Sequence, residues 1–453
     1  MMQAAGTLAR CFAIVWLGAT ITIARVGAEA THTVPSAADS LSIADCARLA
    51  REQAPGVRIA ALARRAARFD STAAWRNRRP VVSLVGSALL APRGFYDPAF
   101  TNLGDYELKL GLSLPLLDGG TAKRERARAT NEVRRAAFDL DRSARAAAVQ
   151  AADLAIQILD LRERAHSGAR ALAWLTDLAG ILESRVRGGT SGPSELMRVA
   201  LERDAVETEL AATRTELAIA ARELGQALGL APEVMPQVRA VAPDEDHGPT
   251  PGDSLRLLTG VARLPEVQLA GTAEVQAQLD QADAEHRKAM RADLSADAGL
   301  AGTDLTTAVP PDLKAEDPQA TWGDRMRRDL GASVSLGFNR PLLDATVPPT
   351  IEARRAAAQA AALQRSVESD TQRRVVLDLL DHWRSAAHRL RAQQGMVERA
   401  ETNLLRVKSL YIAGATGLLD LLDARQILDE ARARLAEARA ENRMAQMEAE
   451  TRP

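Results

Sequence analysis

The sequence contains the same pattern twice. LGLSLPLLD at Leu110–Asp118 returns as LGFNRPLLD at Leu336–Asp344, an offset of 226 residues. GGTSGPSEL at Gly188–Leu196 aligns with AGATGLLDL at Ala413–Leu421, an offset of 225 residues. Internal repetition indicates that one supersecondary unit has been duplicated. A chain of 453 residues is therefore expected to fold as two similar halves rather than around one large core.

A third match gives the approximate extent of each half. Ala54–Val57 aligns with Leu264–Val267, ahead of the other two matches and in the same order. The segment Val234–Asp253 is rich in Pro, Asp and Gly, as connecting segments are. The sequence therefore predicts a first structural repeat over 31–245 and a second over 246–453.

Residues 1–30 have the pattern of a secretory signal peptide. Arg10 precedes the short apolar stretch Cys11–Ile23, and Ala28 and Ala30 form an A-x-A-like end. That stretch is shorter than the roughly 20 apolar residues of a membrane-spanning helix. Removing the peptide leaves Cys46 as the one cysteine, which excludes an intrachain disulfide and favours a buried structural thiol.

The period of the hydrophobic residues changes within each half. In Tyr106–Leu114 every even position from 108 to 114 is Leu, and polar residues or Gly stand between them. Ala332–Phe338 repeats this alternation, which is typical of a strand with one apolar face. Val81–Leu90 and Ala292–Leu300 alternate more weakly and are predicted as their partner strands. The prediction is four strands, two in each half.

Long helices are predicted on both sides of the first strand pair. A helix is expected from about Ser42, with Ser42 as its N-cap and Asp45 completing a capping box, to Arg79. Thr121–Arg187 lacks Pro, and from position 154 to position 182 it keeps the alternating four-and-three spacing of a coiled coil. A continuous helix of that length spans roughly 100 Å. Gly188–Pro193 then reverses the chain into a helix that returns as far as Leu228.

The second half repeats the helical hairpin. A helix is predicted up to Ala413, a turn at Gly414–Gly417, and a return helix along Leu418–Glu448. The composition agrees, since 46% of the residues are hydrophobic and only 3% are aromatic, as in long helices packed through Ala and Leu. The fold class is thus mostly α, with duplicated coiled-coil hairpins and four strands per chain.

The sequence lacks the residues and motifs that other functional classes require. A net charge of −1 gives no electrostatic basis for binding nucleic acid. The six histidines show no metal-ligand spacing, and no phosphate loop, nucleophile elbow or CxxC motif occurs. No enzymatic activity, cofactor or metal site is predicted.

Strands with one apolar and one polar face fit either a soluble sheet or a membrane barrel. Here the sequence offers no further strands or short amphipathic helices to cover four such strands. In a bilayer an open sheet edge is not tolerated, so the four strands have to close with strands of other copies. Two copies give eight strands, which side chains fill, whereas three give twelve and leave a channel. This favours a trimer.

The motif YIAGATGLLDLLDARQILDEARARL at Tyr411–Leu435, together with PLLD at Pro341–Asp344, resembles the TolC-type outer-membrane efflux proteins. The resemblance extends from about Leu41 to the C-terminus. It implies a homotrimer in outer-membrane lipid, with a twelve-stranded β-barrel and an α-helical tunnel of roughly 100 Å through the periplasm. It also implies a passive exit duct for efflux or type I secretion, supplied by an inner-membrane pump through a periplasmic adaptor.

The resemblance assigns a channel-entrance constriction to Asp420 and Asp423, which occupy the D-x-x-D positions after the second hairpin turn. Three residues apart on a helix, both carboxylates point to one side. Threefold symmetry would gather them around one axis and attract cations. The alternative is a solvated acidic face, which the helix dipole favours near an N-terminus.

The resemblance also implies a closure contact near the same turn. Tyr411 matches the tyrosine whose hydroxyl clamps the entrance, and Glu195 stands where its acidic partner is expected. Thr416 departs from the family example, which has an arginine there. The turns themselves are assigned to four glycines, Gly189, Gly192, Gly414 and Gly417.

A second hypothesis is a soluble periplasmic coiled-coil adaptor or structural protein of such a system. It accounts for export and for long hairpins. It does not account for two copies of the strand pair, and one hairpin normally suffices.

Overall fold

The computed structural model describes residues 40–88, 105–189, 192–239, 248–303, 308–309 and 311–452. The signal peptide expected over 1–30 and the boundary between the repeats expected at 245/246 lie outside the described residues, as do the last two residues of the strand expected over Val81–Leu90.

The two halves contain corresponding elements in the same order. The first half has helices and strands α1 (Ile43–Gln53), α2 (Pro55–Arg76), β1 (Val81–Ala88), β2 (Asp105–Asp118), α3 (Thr121–Arg187) and α4 (Pro193–Ala227). The second half has α5 (Pro251–Gly260), a 3-10 turn (Val261–Arg263), α6 (Pro265–Glu285), β3 (Arg291–Thr303), α7 (Pro311–Glu316), α8 (Trp322–Asp329), β4 (Leu330–Asn339), α9 (Val347–Ile412) and α10 (Leu418–Glu450). Along the chain, the short helices α7 and α8 stand between β3 and β4, although the sequence predicted no short helices beside the strands.

The single helix predicted over Ser42–Arg79 is wrong, because the chain breaks at Ala54. Ala54 adopts φ −54° and ψ 139°, and Pro55 begins a new helix. A residue before proline is pushed out of the helical region, and proline favours the first helical position. The repeat contains the same break, with Leu264 at φ −59° and ψ 136° before Pro265.

Helix α1 begins as expected and buries Cys46. The Asp45 amide donates to Ser42 Oγ over 3.1 Å, and the Ser42 amide donates to Asp45 Oδ2 over 3.1 Å. This is the predicted capping box. Cys46 is fully buried, which agrees with a structural thiol, and burial raises the pKa of its thiol to about 12.

The four strands form one antiparallel sheet in the order β1-β2-β3-β4, which confirms the four predicted strands. Directly paired residues share a face, so Leu84, Leu110 and Ala298 lie together, as do Ser83, Gly111 and Asp297. The even-numbered side chains of the four strands, in β2 as far as Leu114, thereby form one apolar face. Its large members are Val82, Leu84, Leu108, Leu110, Leu112, Leu114, Leu294, Leu300, Leu330, Val334, Leu336 and Phe338.

The repeated LLD motif precedes each long helix: it ends β2 at Asp118, and in the second half it follows the end of β4, at 342–344. Asp118 accepts hydrogen bonds from the backbone amides of Gly120 (2.9 Å) and Ala122 (3.1 Å). Asp344 accepts one from the amide of Thr346 over 2.9 Å. These bonds satisfy amides that a helix N-terminus leaves free.

The long helices form two antiparallel hairpins, α3 with α4 and α9 with α10. Helix α3 has 67 residues with the predicted bounds, and α9 has 66. In the first half α1, α3 and α4 share a core; in the second half α5, α6, α9 and α10 do so. Among the described residues, no helix is both long and apolar enough to cross a membrane.

Candidate functional site

Glycines at equivalent positions of the two repeats form the turns at the tips of the two hairpins. Gly189 and Gly414 adopt φ +72° and +75°, a region that suits glycine and ends the outgoing helix. Gly192 and Gly417 both have φ −86° and an extended ψ, and each is the N-cap of a returning helix. The structure thus places these four glycines at the two tips, each pair 225 residues apart.

An apolar cluster, here called the tip cluster, joins the two hairpins near their tips. Its fully or almost fully buried members include Leu182 of α3, Val199 of α4 and Leu421 of α10. The half-buried ring of Tyr411 packs against the cluster. Burial of this kind contributes about 1.5–3 kcal/mol for each large aliphatic side chain. The hairpin tips of one chain are therefore packed together.

Asp420 is fixed at the N-terminus of α10. Its carboxylate accepts hydrogen bonds from the Thr416 hydroxyl and from the Gly417 amide, the latter over 3.1 Å. These bonds, that of Thr416 first, hold the pKa of the Asp420 carboxyl below its ordinary value. Asp423 follows on the same exposed side, away from the buried residues Leu418 and Leu421.

Tyr411 contacts a residue that the sequence did not single out. The Arg185 guanidinium, on α3, lies 5.1 Å from the centre of the Tyr411 ring. Glu195 lies in the first turn of α4, where the helix dipole favours a carboxylate. Within the described part of this single chain, no hydrogen bond joins Tyr411 to Glu195. The Tyr411–Glu195 contact stays a prediction about neighbouring hairpins.

A second set of contacts ties α3 to α10 farther from the tips. The Arg425 guanidinium lies 5.5 Å from the Trp174 ring centre and donates to Asp429 Oδ2 over 2.8 Å. Burial raises the pKa of the Asp429 carboxyl, and the charge of Arg425 opposes this shift. Arg439 and Glu163 form a further ion pair at 3.2 Å. The two hairpins are thus coupled by charged and aromatic groups as well as by the tip cluster.

The exposed carboxylates Asp420 and Asp423 give the tip region a negative charge that can attract cations. In the described ranges, no group of three or more His, Cys, Asp or Glu residues is placed to hold a metal ion. The tips carry exposed carboxylates on helices whose orientation is fixed by packing.

No family model matches the sequence, and no curated protein matches it. Solved structures, in contrast, match its fold. The outer membrane protein VceC from Vibrio cholerae has 16% sequence identity and a TM-score of 0.71, covering 90% of this chain and 94% of its own. CusC, whose structures concern transmembrane channel formation, has 17% identity and a TM-score of 0.72, covering 91% and 92%. The Neisseria gonorrhoeae outer membrane channel MtrE has 16% identity and a TM-score of 0.70, covering 90% and 88%.

Proposed function

We propose that this chain, which has the fold of the TolC-type outer-membrane efflux channels, is the outer-membrane duct of a tripartite efflux or type I secretion system. In this role it is a passive conduit and not an enzyme. An inner-membrane pump supplies the substrate through a periplasmic adaptor, and the chain holds the outer-membrane end of the path.

The observation that carries the proposal is the apolar face of the sheet. Val334 is 76% exposed, Leu84 67% and Leu330 62%, and their neighbours on that face are also apolar. In water each of these side chains would forfeit the free energy that burial provides. Lipid covers such a face without needing any further protein. A soluble adaptor, the alternative, would have to cover it with protein.

The free edges of the sheet support a homotrimer. Among the described residues, β1 pairs only with β2, and β4 only with β3, so both outer edges lack partners. Open edges are excluded from a bilayer because their amides and carbonyls would stay unsatisfied. Pairing β4 of one copy with β1 of the next closes twelve strands in a trimer, wide enough for a channel.

The positions of the long helices support a periplasmic tunnel. Strands β2 and β4 lead through short turns into α3 and α9, so both hairpins leave the sheet from the same edge. At 1.5 Å per residue they extend roughly 100 Å away from it. If the sheet lies in the outer membrane, the hairpins reach through the periplasm. A signal peptide at 1–30 would provide export, followed by the repeats 31–245 and 246–453.

The hairpin tips are then the entrance to the tunnel. Asp420 and Asp423 of three copies would form a ring of carboxylates around the axis and attract cations. Tyr411 and Glu195 would contribute to closure between neighbouring hairpins. The contact between Arg185 and Tyr411 supports a closing role for this tyrosine, because it already links the two hairpins of one chain.

Fractionation, mass measurement and planar-bilayer recording of the purified chain test the proposal. We expect the chain in the outer-membrane fraction, a mass in detergent of three chains, and stepwise conductance after insertion. A stable monomer in the soluble periplasmic fraction would refute the barrel and favour the adaptor.

A further inference from the structure

The edge of the sheet from which the hairpins leave carries a band of basic residues. At this edge β1 begins, β2 ends, β3 begins and β4 ends, so four strand ends lie side by side. Basic residues stand within a few positions of three of these ends. We call them the basic collar: Arg78, Arg79, Arg287, Lys288 and Arg340.

The collar presents its charges to solvent. Arg78, Arg79, Arg287 and Arg340 are exposed, and Lys288 is half-buried. Within the described ranges, none of the five makes an ion pair shorter than 4.0 Å. Some arginines of the helices next to the sheet are paired instead; Arg124, for example, binds Asp283. Two carboxyl groups lie near the collar. Besides their hydrogen bonds, the charge of Arg78 lowers the pKa of Asp118, and the charges of Arg287 and Lys288 lower the pKa of Asp344. With five basic residues against these two carboxylates, the collar is a net positive surface along this edge of the sheet.

Apolar side chains accompany these charges. Trp75 is 60% exposed, and its ring is held by Arg126, whose guanidinium lies 4.8 Å from the ring centre. Phe338 at the end of β4 is 64% exposed, and Leu342 and Leu343 just beyond it are 77% and 97% exposed. Amphipathic aromatic rings and arginines at one level are characteristic of a membrane–water interface.

We propose that the basic collar binds the phosphate groups of anionic phospholipids in the periplasmic leaflet of the outer membrane. This inference rests on the proposed function, because the sheet has to span the membrane for its hairpin edge to lie at the periplasmic surface. The collar is continuous with the apolar face that lipid tails would cover. It therefore meets the headgroups of those same lipids.

The chemical groups of the collar favour the phosphate groups of anionic phospholipids as the ligand. Guanidinium groups bind phosphate through paired, charge-assisted hydrogen bonds, and each basic residue near an anionic surface adds an electrostatic attraction. Phospholipids form the leaflet at the hairpin edge. Phosphates of the outer leaflet would lie at the opposite edge of the sheet, out of reach.

The test compares vesicles of phosphatidylglycerol with vesicles of phosphatidylcholine. The full-length trimer is inserted into each, and native mass spectrometry counts the lipids that remain bound after mild extraction. The collar variant carries Arg78→Gln, Arg79→Gln, Arg287→Gln, Lys288→Gln and Arg340→Gln. The matched control loses the same charge from exposed positions on the long helices, through Arg198→Gln, Arg214→Gln, Arg373→Gln, Arg406→Gln and Lys408→Gln.

We expect the unmodified trimer and the control to retain phosphatidylglycerol in preference to phosphatidylcholine. The collar variant should lose this preference, by about fivefold for each charge that contributes. High salt should reduce the preference in the unmodified trimer. If the collar variant does not assemble, the pairs Arg78→Gln with Arg79→Gln and Arg287→Gln with Lys288→Gln are tested separately.

Equal retention of the two lipids by the unmodified trimer, or an unchanged preference in an assembled collar variant, would overturn the proposal. Insertion into neither kind of vesicle would instead refute the proposed function, and the collar proposal with it. The two failures are distinct because insertion is measured before lipid preference.

Discussion

At the residue scale, Asp420 combines two properties. Its carboxylate caps α10 through Thr416 and Gly417, and it is fully exposed on the tip. Capping fixes the direction of the charge without burying it. The sequence indicated the pair Asp420 and Asp423 and marked Thr416 as unusual, but it could not show that Thr416 is the donor to Asp420.

Thr416→Val tests this contact. The Thr416 hydroxyl is the largest cause of the lowered pKa of Asp420, so its loss should raise that pKa towards the ordinary value. A lowered folded-state pKa contributes stability that is present above the unfolded pKa and is lost as pH falls through the folded value. In the variant the folded-state pKa of Asp420 lies nearer the unfolded value. The stabilising contribution of Asp420 should therefore be smaller and should disappear at a higher pH. Titration of carbon-labelled aspartate by NMR measures the shift.

Thr402→Val is the control, because the Thr402 hydroxyl donates to a carbonyl of its own helix and not to a carboxylate. An Asp420 pKa that is the same in the Thr416 variant and in the control would show that the backbone amide alone sets it.

The contact between Arg185 and Tyr411 shows why part of the site was missed. The two residues are 226 positions apart, and nothing in either local sequence indicates that they meet. Their proximity follows from the packing of α3 against the second hairpin. Spacing within a helix can be read from sequence, whereas contacts between helices depend on how far each one is rotated and shifted.

At the element scale, the turns and the strands can be tested separately. Gly414 has a positive φ and open space around its Cα, so Gly414→Ala meets no clash but strains the backbone. A left-handed residue with a side chain costs roughly 1–2 kcal/mol. We expect that loss in chemical unfolding of the second hairpin.

Gly417→Ala is the matched control, since φ −86° suits any residue and nothing closer than 3.9 Å would meet its new methyl group. Equal losses in the two variants would mean that the turn does not depend on the left-handed conformation.

Strand β2 tests which face of the sheet meets lipid. Leu112 lies on the apolar face between Val82 and Ala296, and Ser113 lies on the opposite face beside Ser295. Leu112→Arg should destabilise the inserted protein by about 2–4 kcal/mol if it lies near the bilayer midplane. Ser113→Arg should leave stability nearly unchanged and alter conductance. Unfolding in urea from lipid vesicles gives the comparison, and similar losses at both positions would contradict the assignment of the faces.

Sequence periodicity predicted most helices and strands. It missed the effects of proline on where a helix breaks and where a strand ends. Thr121–Arg187 matched its predicted bounds because a long stretch without proline, with a heptad pattern over 154–182, leaves few alternatives. The break at Pro55 was missed because the apolar pattern continues across it. Strand β2 continues beyond Leu114, where the predicted alternation ended, to Asp118 and through Pro115. A bulge between Pro115 and Leu117 accommodates the missing donor.

At the scale of the whole molecule, the entrance proposal depends on three chains acting together. Each chain contributes Asp420 and Asp423, so the charge at the entrance should fall in steps as chains are replaced. Mixed trimers that combine unmodified chains with Asp420→Asn/Asp423→Asn chains should show a graded series of cation selectivities. Single-channel recording in planar bilayers resolves these classes. Unaltered selectivity in trimers made only of variant chains would support the alternative interpretation, in which both residues belong to a solvated acidic face.

The matched hairpins restrict how this chain can change during evolution. Helices α3 and α9 have 67 and 66 residues, and the tip cluster packs their far ends together. Deleting one heptad from a single hairpin would withdraw its tip by about 10 Å and separate the two halves of the cluster. A deletion of the same size in both hairpins would keep the tips level. Length changes in one repeat should therefore survive only when the other repeat has changed by the same amount.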